Sequence, residues 1–303
     1  MRPLSLRVVV VVLALAGLAG LALQQRRATA LAADRVVATG VAGYLVLTVP
    51  AAPPPAVGFA PDRLVSTVNR LHGAGFWHAG LEVTVGGTDL VDEAGPQGPT
   101  AHAVLPGPSG ADTVGSVTIW DTVPAGDLPG ALWLLAVSVI LVSVLAATRR
   151  AGLLWPTLGG ILVALLVRLA LQETSRMADH AAEAAMAHLG PMAALVVLDA
   201  RVATGALQQL GPDLRIREVG QDGVTSPPGW RVGPDGPLAV AQVARGSGAV
   251  VEVGLPPLVT RTRGFELGLA GGALVAWLAT WPPFVPGRRR RLLMASDDAT
   301  IPG

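Results

Sequence analysis

Four long apolar runs divide this chain: residues 8–23, 129–148, 152–171 and 265–284. Each is long enough, or nearly so, to cross the roughly 30 Å hydrocarbon core of a bilayer, which takes about 20 apolar residues as a helix. Only Arg149, Arg150 and Ala151 separate the second run from the third. The two runs therefore predict a tight helical hairpin, which puts both polar segments on the same side of the membrane. The expected division is a signal-anchor helix over 1–23, a first outer domain over 24–128 and a hairpin over 129–171. A second outer domain over 172–264, a last membrane helix over 265–284 and a basic tail over 285–303 follow.

Composition agrees with this division. The chain is 51% hydrophobic with a mean hydropathy of +0.54, too apolar for an ordinary soluble domain. The net charge of +1 gives no field to draw in nucleic acid. There is no cysteine, which excludes disulfides, thiolate catalysis and cysteine-held metals.

Every basic side chain is arginine, and the arginines set the orientation. Arg2 and Arg7, the hairpin pair Arg149 and Arg150, and the tetrad Arg288, Arg289, Arg290 and Arg291 all fall on one side. By the positive-inside rule that side is cytoplasmic. Arg26, Arg27, Arg35, Arg168, Arg176, Arg261 and Arg263 flank the other side, but the rule weakens for long translocated loops. The expectation is a multi-pass protein of a bacterial inner membrane, with both termini cytoplasmic and two domains outside. Ala30-Leu-Ala32 resembles a signal-peptide cleavage site. However, Gln24-Gln-Arg-Arg27 lies between it and the apolar run, so an uncleaved anchor is expected.

The halves align at an offset of 133 positions. Gly87, Asp89 and Val91 match Gly220, Asp222 and Val224; Val83 matches Ile216; Gly115 and Val117 match Gly248 and Val250; Pro124 matches Pro257. Upstream the register shifts across a proline-rich stretch, 50–61, that suits a surface loop. An internal duplication of span, outer domain and span is the reading.

Each outer domain begins with a helix running on from its span, over 24–41 in the first half. In the second half it covers 172–189, where Gly190-Pro191 predicts a stop. A shorter helix over 62–71 puts Leu64, Val68 and Leu71 on one face, and its counterpart lies near 201–210. Alternating strands are expected at 81–85 and 214–219, each followed by a Gly/Asp turn, and later strands at 101–105, 115–120, 238–244 and 249–253. The fold class is a membrane protein of α+β type: four transmembrane helices with two duplicated extracytoplasmic α+β domains on antiparallel sheets.

This layout resembles the extracytoplasmic PAS-like, or Cache-like, sensing regions of bacterial membrane sensor proteins of the histidine-kinase type. The span running into a long helix, the strand and turn over 214–223 and the closing strand that enters the next span carry the resemblance. It implies a sensory input module with an antiparallel sheet in each domain. No ligand-binding residue of that family maps onto this chain residue by residue. After Arg291 no phosphoacceptor helix, ATP site or cyclase signature follows, so the output is expected on a longer protein or on a partner.

Candidate chemistry is sparse. His72 and His78 could hold a metal with Asp89, Asp92 or Glu93, but lack the tight spacing of metal sites. They read as loop residues. His180 and His188, beside Asp179 and Glu183, read as the solvated face of a helix. Asp92-Glu93 and Asp297-Asp298 are sequence neighbours, whereas catalytic carboxylates work across a cleft. No nucleophile elbow, P-loop or His-Glu-x-x-His is present, so no enzyme activity, cofactor or metal is expected. Phe76, Trp77 and Trp230 are the ligand-binding candidates, with core packing as the plainer alternative. Gly264, Gly268 and Gly272 give the last span a flat face for another helix, either a second span or a second copy. Trp133, Trp155, Trp277 and Trp281 lie toward span ends, as interfacial anchors do.

The expected function is detection of an envelope signal or small ligand, relayed through the membrane helices. The alternative is a non-catalytic envelope scaffold or assembly subunit that binds protein partners. The expected partners are the lipid bilayer and either a second copy or a cytoplasmic signalling protein, with a small-molecule ligand and no nucleic acid.

Overall fold

The computed structural model describes residues 3–49, 59–73, 80–92, 100–107, 112–120, 154–198, 204–219, 229–233, 236–244, 250–258 and 263–280. The run 129–148, the hairpin arginines, the Arg288–291 tetrad and the stretch 50–58 lie outside them. The chain forms two compact units.

The first is apolar. It comprises helix α1 (Pro3–Thr48) up to Leu21, helix α3 (Leu154–Leu198) up to Ala170, and helix α4 (Arg263–Thr280). α1 and α3 contain the two helical segments among the described residues that are long and apolar enough to cross a membrane, Ala16–Thr48 and Thr157–Val197; the apolar part of α4 is shorter. Pro3 opens α1 at the first helical position, where its missing N–H costs nothing. Val163 and Leu166 of α3 bury against Ala276 of α4, with Ala14 of α1 packed alongside.

The second unit is mixed helix and antiparallel sheet, as expected. It holds α1 from Ala22, α2 (Pro61–Gly73), α3 from Leu171, a 3-10 helix (Thr204–Leu210) and eight described strands. One sheet contains β1 (Gly80–Val85), β2 (Thr88–Asp92), β3 (Thr100–Pro106) and β4 (Thr113–Trp120), in the order β2-β1-β4-β3. The other contains β5 (Arg215–Val219), β6 (Gly229–Gly233), β7 (Gly236–Ala244) and β8 (Val250–Leu255), in the order β5-β8-β7-β6.

Four expectations are corrected. First, α1 runs on to Thr48 rather than ending near Val41, because Tyr44 and Leu45 are fully buried and hold its last turns.

Second, Pro191 does not stop α3. Proline inside a helix forfeits one backbone hydrogen bond and costs about 3 kcal/mol. Met192, Ala193 and Val196 beyond it are almost wholly buried, at roughly 1.5–3 kcal/mol for each large side chain. Burial therefore outweighs the proline and the helix continues to Leu198.

Third, the Gly87-to-Val91 segment is not a turn. The turn is Gly86-Gly87, with φ of 58° and 79°. Two adjacent residues at positive φ make the tight hairpin that suits strand twist. Thr88–Asp92 is a strand, and Asp92 stands opposite Glu82.

Fourth, the offset of 133 does not hold across the second unit's last strands. Val83 pairs with Val117, but Ile216 pairs with Val253, not Val250.

Candidate functional site

The two halves of the helix–sheet unit share one core. Ala33, Val37, Val41, Tyr44 and Leu45 of α1 belong to the same buried cluster as Leu81, Val83, Val117 and Ile119 of the first sheet. Ala182, Ala185, Leu189 and Met192 of α3 join it, with Leu207 and Leu210 of the 3-10 helix and Val251 and Val253 of the second sheet. Glycines set the closest approaches. Gly40 of α1 lies under the Leu189 side chain, and Gly43 lies against the backbone carbonyl of Gln209. Gly190 of α3 sits beneath Ala241 of β7, where a Cβ would stand 3.1 Å from the alanine methyl.

Polar groups are buried along these helices, each with a partner. Gln25, Thr29 and Asp34 of α1 and Thr174 and His188 of α3 are all under a tenth exposed. The Thr29 hydroxyl donates to the Gln25 carbonyl at 3.0 Å and the Thr174 hydroxyl to the Leu171 carbonyl at 2.8 Å, which satisfies them without leaving the helix. Past β8, the Leu258 N–H donates to the Ala178 carbonyl at 3.3 Å, tying the chain that leaves the second sheet to α3.

The outer faces of the sheets are polar. Across the first, Glu82, Thr118 and His102 stand in one row. The His102 ring bonds Thr118 through Nδ1 and Thr100 through Nε2, both at 3.0 Å. One row along, the Thr84 hydroxyl donates to Asp89 at 2.9 Å and approaches Glu82 at 3.4 Å. Trp120 covers Gly80 so closely that no Cβ fits there. Across the second sheet the row is Arg217, Glu252 and Gln242. The Gln242 amide donates to Glu252 at 3.2 Å, while its buried Oε1 has no hydrogen-bond partner among the described residues. These rows offer donors and acceptors to a polar ligand or a protein surface. Among the described residues no three His, Asp or Glu side chains are grouped to hold a metal.

Most sequence candidates are not brought together. Phe76, Trp77, His78, Glu93, Trp133, Trp281 and Asp297-Asp298 lie outside the described residues. The backbone of Trp230 pairs with Ala239 at the edge strand β6. His180 is solvated, 3.4 Å from Glu183. His188 corrects the expectation of a shared solvated face, because it is only 5% exposed. Eight helical residues turn it about 80° from His180, onto the side that Ala185 and Leu189 bury.

The glycines of the last span are used within the chain. A Cβ on Gly268 would stand 2.6 Å from Leu21 and one on Gly272 would stand 2.9 Å from Leu18, so both pack on α1; Gly264 is exposed. Trp277 lies over Gly160 of α3. His102 and Trp120 were missed in the sequence. Alternation within Thr113–Trp120 puts Thr118 and Trp120 on one face, but His102 joins them only through the register of β3 on β4. Searches against known protein families, curated proteins and solved structures find no match to this chain.

Proposed function

We propose that the chain is a sensory input module of a bacterial inner membrane. In this reading four apolar helices cross the bilayer, both termini are cytoplasmic, and the helix–sheet unit faces outward. A small ligand or an envelope change is relayed through the helices to a cytoplasmic output. One observation carries the proposal: α1 and α3 are each a single unbroken helix, apolar at one end and built into the shared core at the other. A shift in either sheet therefore bears on both rods, and packed helix interfaces convert small shifts into discrete rearrangements. The matching neighbours β1-β4-β3 and β5-β8-β7 support a duplicated, PAS-like layout, in which the fourth strand has moved to the opposite edge.

The second reading is a scaffold that binds proteins. The large side chains that fill the core and the hydrogen-bonded polar rows on the outer sheet faces favour it. A thermal-shift screen of the whole chain in lipid nanodiscs against small metabolites separates the two. Dose-dependent stabilisation by one compound class supports the sensor. No shift, together with a protein that co-purifies in fixed stoichiometry, sinks it in favour of the scaffold.

A further inference from the structure

Two arginines stand at matching places on α1 and α3. Arg27 lies four residues past the apolar run 8–23, and Arg176 lies five residues past the run 152–171, each within its unbroken helix. At 1.5 Å per residue they stand about 6 Å and about 7.5 Å beyond the apolar ends. A bilayer of about 40–45 Å with a hydrocarbon core of about 30 Å has roughly 5–7.5 Å of headgroup layer on each side. With the apolar runs in the core, both arginines fall in the headgroup layer on the side of the helix–sheet unit.

The match continues inside that unit. Arg27 is 13 positions before Gly40 and Arg176 is 13 positions before Leu189, the two residues at which α1 meets α3. Gln25 and Thr174, two positions earlier on each helix, are under a tenth exposed. Two residues turn a helix by about 200°, so each arginine projects from the side opposite the buried one, and both are exposed. Neither has a hydrogen-bond or ion-pair partner among the described residues, although Glu173 stands three residues before Arg176.

Charge names the partner. A guanidinium carries a permanent positive charge and a planar fork of N–H donors that fits phosphate oxygens two at a time. The anion abundant in a headgroup layer is the lipid phosphate, and in an anionic phospholipid no headgroup cation competes for it. We propose that Arg27 and Arg176 each hold the phosphate of an anionic phospholipid in the leaflet on the side of the helix–sheet unit. The two contacts fix both long helices at corresponding heights, just below the core that they share. The inference rests on the membrane-spanning reading above and not on a ligand for the sheets.

Native mass spectrometry of the whole chain in detergent tests this, with phosphatidylglycerol and phosphatidylcholine of one chain length supplied in equal amounts. Arginines elsewhere in the chain also attract anionic lipid, so the comparison is between variants. Arg27→Gln with Arg176→Gln should retain two fewer phosphatidylglycerol molecules than the parent, and each single variant one fewer. Arg63→Gln with Arg70→Gln, on exposed positions of α2, should retain as many as the parent. All variants should melt with the parent in phosphatidylcholine alone, because the altered side chains are exposed. Arg27→Lys with Arg176→Lys keeps the charge and should recover most of the retained lipid. Equal retention by the parent and the double glutamine variant overturns the proposal while leaving the membrane reading in place. Displacement of the lipid by millimolar inorganic phosphate also overturns it and assigns the arginines to a free anion. Recovery of the chain in the soluble fraction without detergent removes the membrane reading itself, and this inference with it.

Discussion

Gly43 of α1 lies directly against the carbonyl oxygen of Gln209, with no room for even a methyl group between the two backbones. The contact joins the first half's helix to the second half's 3-10 helix, and neither backbone can yield as a side-chain tip would. Gly43→Ala should therefore destabilise the chain by about 1–3 kcal/mol or more. Gly73→Ala, at the open end of α2, should change stability by less than about 0.5 kcal/mol. Thermal unfolding of both variants in the same detergent checks this. Equal effects would show that the Gly43 contact does not join the halves.

The same shared core predicts that the second half cannot fold alone. A fragment covering 171–262 lacks Val37, Val41, Tyr44 and Leu45, which share the core with Leu189 and Leu210. It should show no cooperative melt and should bind a hydrophobic dye. Co-expression with 1–128 should restore protection of the fragment from protease. A sharp melt of the lone fragment would mean that the two halves are independent domains.

Pro191 and Met192 should move stability in opposite directions. Pro191→Ala restores a helical N–H and should stabilise by about 1–2 kcal/mol, less than the full proline penalty because the unfolded chain also gains freedom. Met192→Ala empties a fully buried position and should cost about 2–5 kcal/mol. Denaturation midpoints of the two variants measure both.

Asp179 gives a pH-dependent prediction. Partial burial, then repulsion from Glu183, raise its pKa above the ordinary carboxylate value, while His180 acts the other way. The folded chain thus holds this proton more tightly than the unfolded chain. No penalty exists in acid, and one develops as pH rises from the ordinary carboxylate pKa through the raised value. Asp179→Asn should therefore match the parent in acid and become the more stable of the two toward neutral pH. Melting curves across that range should diverge upward; a constant difference would place the effect elsewhere.

Local features of this fold were legible in the sequence, whereas long-range ones were not. Leu64, Val68 and Leu71 announce their helix by spacing and are fully buried. Six of the eight described strands were legible, β1 and β5 by alternation, because period 2 survives without knowledge of partners. β2 was missed since Thr88-Asp-Leu-Val-Asp92 is short and acidic and reads as a turn. Its signal was the Gly-Gly pair before it. Pro191 misled because local propensity cannot register the burial of Met192, which depends on residues distant in the chain. The contact of Gly43 with Gln209 left no local trace at all. Of the candidate site, the glycine face of the last span was visible. The His102 and Trp120 face needed strand registers that only pairing supplies.

The approach of Gly40 to Leu189 also sets a timetable for synthesis. α1 leaves the ribosome about 150 residues before its neighbour exists, a delay of roughly 8–30 s at 5–20 residues per second. Through that interval the part of α1 that meets α3, at Gly40, lacks its native cover. The first half must wait, unfinished, until the chain has passed through the third apolar run and delivered α3. Any factor that attends the growing chain would have its work concentrated in that window.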